Sequence, residues 1–349
     1  MSSHSAPIKI VFLGTPAFSI PALKALVADD RIEIAAVITQ PDRPAGRGQK
    51  LTPPPIKTLA DTLGLPVFQT VSIKKDEPLK AHLKSLAPDF LVTVAFGQIL
   101  TQEVLDIPKM ATVNAHASLL PEFRGANPIQ QAILQGKSQT GITTMLTELG
   151  VDTGPMLLKH TLTIGPEETM GQLTERLSES AGPLLVDTLV GMVNGSVQPE
   201  VQAHELATHA PKCQKEDAIL DWQASADQLQ LKIRAFNPAP GAATFLEGER
   251  VKLLKVRTYQ PPAADHSPDQ SSDQSEEMIN TGQPGQILAI IETGLLVQTG
   301  QGTLEILSLQ PAGKKEMPAR DWALGYFKAV NGTRQLGCFS PHQSAPLPA

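Results

Sequence analysis

Asn114 and His116 stand two residues apart in the segment NAHASLLP (114–121), at the end of the apolar run ATVNAHAS (111–118). Alternate residues of a strand face the same side, so the amide and the imidazole would share one face at a strand end. An amide donor beside an imidazole suits the stabilisation of an oxyanion and the movement of a proton. The plain alternative is a polar pair that only caps the strand. Asp152 lies between two glycines in LGVDTGP (149–155), after another apolar run. There it could orient a histidine and favour its charged form, or simply close a turn on its own backbone. A third polar feature is the stretch Gln40–Pro55, which carries Arg43, Arg47 and Lys50 against Asp42 alone. Its glycines allow close backbone approach and its prolines limit flexibility. It reads either as a site for a phosphate-bearing partner or as a solvated surface loop.

The elements that must position these residues alternate along the first half of the chain. IKIVFLG (8–14), IEIAAVIT (32–39), DFLVTVAF (89–96), ATVNAHAS (111–118), GITTMLTEL (141–149) and MLLKHTLTI (156–164) read as strands. Helices are expected over Ile20–Val27, 56–64, around Leu79–Leu86 and over 128–136. This rhythm predicts an α/β, doubly wound, mostly parallel sheet, which binds ligands at the carboxyl ends of its strands. Thr169 and Gln172 have the spacing of a capping box, and Met170, Leu173, Leu177, Leu184, Leu185, Leu189 and Met192 follow as the core-facing stripe of a long helix. The first domain is therefore expected over 1–196. Residues 197–218 are polar and mixed and read as a linker. From 219 to 330, one helix and several short strands with Gly turns suit a small β-barrel. Within it, residues 261–280 hold five acids and no Lys or Arg, the composition of a disordered loop. The tail 331–349 reads as flexible.

Composition sets the outer limits. The 349 residues carry 29 Lys+Arg and 35 Asp+Glu, a net charge of -6, which argues against a general nucleic-acid coat but allows a local basic site. Cys213 and Cys338 are far apart, so neither a disulfide framework nor a Cys-based zinc module is expected, and a reducing cytoplasm is the natural compartment. No apolar run is long enough to span a bilayer. Gly14-Thr15-Pro16 is not a GxGxxG turn, which removes the fingerprint a nicotinamide oxidoreductase would need. No His, Asp and Glu cluster has metal-ligand spacing.

Taken together, FLGTPAF (12–18), TQPDRPAGRG (39–48), AFGQIL (95–100), NAHASLLPEFRGANPIQ (114–130), GVDTG (150–154), KEDAILDW (215–222), RAFNPAPG (234–241) and LQPAGKK (309–315) resemble, in order, the methionyl-tRNA formyltransferase family. The resemblance implies a Rossmann-like formyltransferase domain followed by an OB-like barrel. It implies transfer of the formyl group of 10-formyltetrahydrofolate to the α-amine of methionyl initiator tRNA by a cytoplasmic monomer with no metal. Asn114 would donate from its amide, His116 as an imidazolium, and Asp152 would hold and charge that histidine. Ser118, Leu119, Leu120 and Pro121, with the backbone of Phe96, Gly97, Gln98 and Ile99, would line the folate pocket. Arg47 would read the acceptor end of the tRNA, with Arg43 and Lys50 on phosphates. Lys212, Lys232, Arg234, Lys252, Lys255 and Arg257 are candidate backbone contacts of the C-terminal module. Nucleotide-sugar and glycinamide-ribonucleotide formyltransferases would share Asn114, His116 and Asp152 but not the 40–55 loop together with this C-terminal module. Where the family commonly has Trp, this chain has Ala239, which suggests looser packing of the C-terminal domain.

Overall fold

The structure, a computed structural model, describes residues 6–46, 48–260, 282–328 and 334–342. It divides into two compact units. The first holds the chain up to Ala132, Ser138–Ile164 and Gln172–Lys212; the second holds Ile133–Lys137, Gly165–Gly171 and the chain from Cys213.

The elements run β1 (Ile8–Gly14), α1 (Ile20–Val27), β2 (Ile32–Thr39), β3 (Arg43–Ala45), β4 (Lys50–Thr52), α2 (Pro55–Thr62), β5 (Val67–Gln69), α3 (Glu77–Leu86), β6 (Phe90–Val94) and α4 (Gln102–Leu105). They continue with β7 (Ala111–His116), β8 (Arg124–Gly125), α5 (Pro128–Leu134), β9 (Gln139–Leu146), β10 (Met156–Thr163), α6 (Met170–Asn194) and β11 (His209–Ala210). One sheet has the order β10-β9-β7-β6-β1-β2-β5. From β5 to β7 its strands are parallel, while β9 runs antiparallel to β7 and β10 antiparallel to β9. The chain leaves β1 towards β2 and β5, then returns to β6 on the other side. In sheets of this order such a reversal is where ligands bind, here at the carboxyl ends of β1 and β6. Thr15 and Ser19 knit these ends together, the Thr15 hydroxyl donating to the Phe96 carbonyl at 3.0 Å and the Ser19 hydroxyl to that of Val94 at 2.6 Å.

Period-two burial explains the sheet. Val11 and Leu13 join Ile38, Leu91 and the α3 residues Leu79 and Leu83 in one apolar cluster. Ile10 and Phe12 are equally buried on the opposite face. Asp76 starts α3 by accepting from the Leu79 amide at 3.1 Å. α6 begins directly after Thr169 and packs on α1 where Gly182 leaves room, since a Cβ there would lie 2.6 Å from that of Ala25. Two features escaped the sequence. β5 is only three residues long, and the 40–55 stretch is a β3–β4 ribbon pairing Arg43 with Thr52 and Ala45 with Lys50. The ribbon strands are exposed throughout, so they carry no apolar alternation to read.

The segment 197–218 is not simply a linker. Residues up to Lys212 belong to the first unit, and β11 pairs in parallel with β8. Most of the segment's residues are exposed, and Gln202 and Ala210 are the ones it buries in the first unit.

In the second unit, α7 (Ala226–Ala235) precedes β12 (Ala243–Leu246), β13 (Glu249–Thr258), β14 (Ile287–Ile290), β15 (Leu295–Gln298), β16 (Thr303–Pro311), β17 (Met317–Pro318) and α8 (Ala319–Tyr326). The antiparallel sheet order is β12-β13-β16-β15-β14, with β17 beside β16. Register shifts near Lys255 bend β13, and the sheet curls. The expected insertion at 261–280 lies outside the described residues. Part of the tail read as flexible is ordered: Ser340 bridges to Phe245 of β12, and Cys338 bridges to Gln286 just before β14. Phe339 is the reason. It is 2 % exposed and stacks 5.6 Å from Trp222, whose indole N–H donates to Thr244 Oγ1. Ala239 is exposed, so its small side chain leaves no hole in this core. Truncation of Phe339 to Ala should cost about 3–5 kcal/mol. Urea unfolding followed by tryptophan fluorescence measures it, and a loss below about 1 kcal/mol would mean that the tail is not part of the core.

Candidate active site

β7 ends on the two residues with the strongest chemical potential. Asn114 pairs with Met145 of β9 and His116 with Thr143, so strand alternation sets both side chains on one side. The Thr93 hydroxyl on β6 donates to Asn114 Oδ1 at 2.8 Å. A hydroxyl donor marks the oxygen end of the amide, which leaves the Nδ2 protons as the free end. Nδ2 has no hydrogen-bond partner among the described residues.

His116 is buried, with both ring nitrogens occupied. Nε2 lies 2.9 Å from the Phe123 carbonyl, and Nδ1 lies 3.5 Å from Asp152 Oδ2. A carbonyl can only accept, so Nε2 carries a proton, and the proton that the ring gains or loses sits on Nδ1. Asp152 is steadied by the Gly125 amide, which donates to the same Oδ2 at 2.8 Å. Both groups facing the imidazole come from residues in the left-handed region, Asp152 at φ 53° and Phe123 at φ 59°. Non-glycine residues hold that conformation at a cost of order 1–3 kcal/mol each, so surrounding contacts must over-determine it.

The neighbouring segments are fixed by side chains that the sequence did not single out. Thr143, opposite His116, donates to the Ser118 carbonyl at 2.7 Å and accepts from the Leu120 amide at 3.1 Å. The Ser118 hydroxyl donates to the Glu122 carbonyl at 2.6 Å, and Leu120 packs with Met145 and Met156. Pro121 and Leu119 are half-buried. Beyond β6, the Phe96 carbonyl also accepts from Gln40 Nε2 at 2.9 Å, and Ile99 is exposed. Gly97 takes a positive φ of 78° with Gln40 packed against it. The Gln98 side chain is spent on backbone, donating to the Thr70 carbonyl and accepting from the Ile73 amide. Only its main chain is available to line a pocket. A strand pattern shows that Thr93 and Thr143 lie on strands, but not which distant group each hydroxyl meets.

On the ribbon, Arg43 Nη2 donates to Gln40 Oε1 at 2.6 Å, and Lys50 is exposed. Arg47 lies outside the described residues. Several C-terminal candidates are committed elsewhere. Lys232 Nζ donates to the Ile219 carbonyl, and burial pushes its ammonium pKa down. Arg234 donates to the carbonyls of Glu168 and Gly165, and Arg257 forks onto Glu305. Lys255 Nζ sits 3.6 Å from Glu167, which leaves Lys212 and Lys252 as the less engaged cations of that set. Among the described residues there is no group of three or more His, Cys, Asp or Glu side chains that could hold a metal ion, and no helix is long and apolar enough to cross a membrane.

Residues 8–189 match the formyl transferase family model, and residues 212–326 match the model of the formyl transferase C-terminal domain. The methionyl-tRNA formyltransferase of Geobacter sulfurreducens is 41% identical over 329 residues, covering 94% of this chain and 97% of that protein. That of Pseudomonas putida F1 is 45% identical over 316 residues, covering 90% and 94%. The chain belongs to the methionyl-tRNA formyltransferase family. Solved structures share its fold at lower identity. HypX from Aquifex aeolicus, in complex with tetrahydrofolic acid, superposes with a TM-score of 0.59 at 17% identity, over 92% of this chain and 48% of HypX. The sugar 3N-formyl transferase WlaRD, with dTDP and 5-N-formyl-THF, gives 0.59 at 15% identity over 89% and 100%.

Gly125 shows how tightly the site is built. At φ 120°, a Cβ on it would lie 2.6 Å from the Ala210 carbonyl oxygen. Gly125→Ala should therefore destabilise the protein by about 1–3 kcal/mol and lower turnover by shifting the amide that holds Asp152. A denaturation midpoint and a turnover number matching the parent protein would show that this close approach is absent.

Proposed function

We propose that the protein transfers the formyl group of 10-formyltetrahydrofolate to the α-amino group of methionyl initiator tRNA, with Asn114, His116 and Asp152 as its catalytic residues. Family membership across both domain models and nine-tenths or more of the chain supports the reaction. The observation that carries the site is the pairing of an unpartnered Asn114 amide with a histidine whose one exchangeable proton faces a carboxylate.

The neutral methionyl amine attacks the formyl carbon, and the formyl oxygen becomes an alkoxide in a tetrahedral intermediate. Asn114 Nδ2 donates to that oxygen. Neutral His116, with Nε2 held by the Phe123 carbonyl, takes the proton shed by the amine at Nδ1, and Asp152 stabilises the imidazolium formed. The alkoxide then re-forms the carbonyl as the bond from carbon to the folate N10 breaks, N10 takes the proton that His116 carries, and formylmethionyl-tRNA and tetrahydrofolate leave. Ser118–Pro121 and the main chain of Phe96–Ile99 flank the folate in this reading. Their pinned backbone supports that role, because a binding wall must be rigid to orient its ligand. Arg43 and Lys50 of the exposed ribbon, together with Arg47, take the tRNA end. The curled sheet of the second unit is read as an OB-like module, supported by its bent β13 and by the tail bridging towards both sheet edges. A cytoplasmic monomer completes the reading.

The test is formyl transfer by the purified protein to methionyl-tRNA, with uncharged tRNA and glycinamide ribonucleotide as controls. Removing an oxyanion donor typically costs about 2.7–4 kcal/mol, and removing a general base costs roughly a hundredfold to ten-thousandfold in rate, so Asn114→Ala and His116→Ala should each lower turnover at least about a hundredfold. Near-normal rates in both variants refute these roles. Arg47→Ala should raise KM for the tRNA and leave folate binding unchanged, whereas equal losses for both substrates remove the ribbon from tRNA recognition.

A further inference from the structure

The segment from Gln202 to Ala210 lies against every group that holds His116. Gln202 is 2 % exposed, and its Nε2 donates to two carbonyls of the Asp152 loop, that of Asp152 at 2.9 Å and that of Gly154 at 2.7 Å. Its Oε1 accepts from Nε and Nη2 of Arg124 at 3.1 and 2.7 Å. That guanidinium is itself buried and turns its Nη2 to His204 Nδ1. Six residues after Gln202, Thr208 Oγ1 accepts from the Phe123 amide at 2.8 Å, and the Thr208 carbonyl accepts from the Arg124 amide. Ala210 then packs onto Gly125, the residue whose amide holds Asp152.

We infer that Gln202 and Thr208 are positioning residues for catalysis: from one strap they clamp the two left-handed residues, Asp152 and Phe123, between which the imidazole of His116 is held. The inference rests on the assignment of His116 and Asp152 as catalytic. A carboxamide suits position 202 because the site presents both signs of partner: carbonyls that need a donor and a guanidinium that needs an acceptor. A glutamate there would keep Arg124 satisfied but lose the donor to the Asp152 loop. Isosteric valine at 208 would leave the Phe123 amide without its acceptor.

Five forms of the full-length protein test this: Gln202→Glu, Asp152→Ala, the double variant, Thr208→Val and Thr208→Ser. Gln202→Glu should lower kcat between about tenfold and a hundredfold, the range of a small misplacement, with KM for methionyl-tRNA and for 10-formyltetrahydrofolate within about twofold of the parent. In the Asp152→Ala background the same change should cost less than about twofold, because the group it positions is gone. If Gln202→Glu does not fold, Thr208→Val carries the test through Phe123, with a kcat loss that Thr208→Ser restores. A parental kcat in Gln202→Glu or Thr208→Val overturns the strap, as does an undiminished Gln202→Glu effect in the Asp152→Ala background. Near-normal kcat in Asp152→Ala alone would instead overturn the catalytic assignment.

Discussion

A carbonyl oxygen cannot give a proton. Because the Phe123 carbonyl meets Nε2 of His116 at 2.9 Å, Nε2 carries the proton, and the other ring nitrogen, Nδ1, faces Asp152. The proposed chemistry of the site depends on that constraint. A freely rotating imidazole could present either nitrogen, and the carboxylate would then face carbon as often as nitrogen. The separation of 3.5 Å between Nδ1 and Oδ2 is longer than a good hydrogen bond.

The sheet supplies the rest of the geometry by adjacency. β6 and β7 are parallel neighbours, so Thr93 stands beside Asn114 and fixes which end of its amide is open. β9 runs back along β7, so Thr143 stands beside His116 and binds the Ser118–Leu120 turn at both a carbonyl and an amide. Two threonines on the flanking strands thus settle the orientation of an amide and the path of the loop that follows it. Each does so with a short side chain that has few rotamers to lose, which keeps the entropic cost of ordering low.

The second unit is held by stacked aromatics and by internal use of its charges. Arg257 and Glu305 satisfy each other within the sheet, and Lys232 and Arg234 satisfy backbone carbonyls. Cations committed in this way stabilise the fold and are costly to redirect towards phosphate. On the first unit, Lys50 of the β3–β4 ribbon is by contrast exposed.

Apolar runs and their spacing were enough to foresee the main strands of the first unit, the long helix after Thr169, and the shared face of Asn114 and His116. Each of these follows from local periodicity, which any short window of sequence contains. Asp152 between its glycines was legible for the same reason, as a turn residue with an unusual neighbourhood. The strap was not legible. Gln202 and Thr208 sit in a polar stretch with no period, and their partners lie 50 and 85 residues away in the chain. The tail residue Phe339 was missed likewise, its stacking partner Trp222 being more than a hundred positions distant. Hydrogen bonds and stacking over such separations leave no local pattern, because the groups meet only after the sheet has brought their segments together. The kinds of side chain available for catalysis were therefore written in the sequence; the tautomer, the open end of the amide and the strap around the two partners of His116 were decided by tertiary packing.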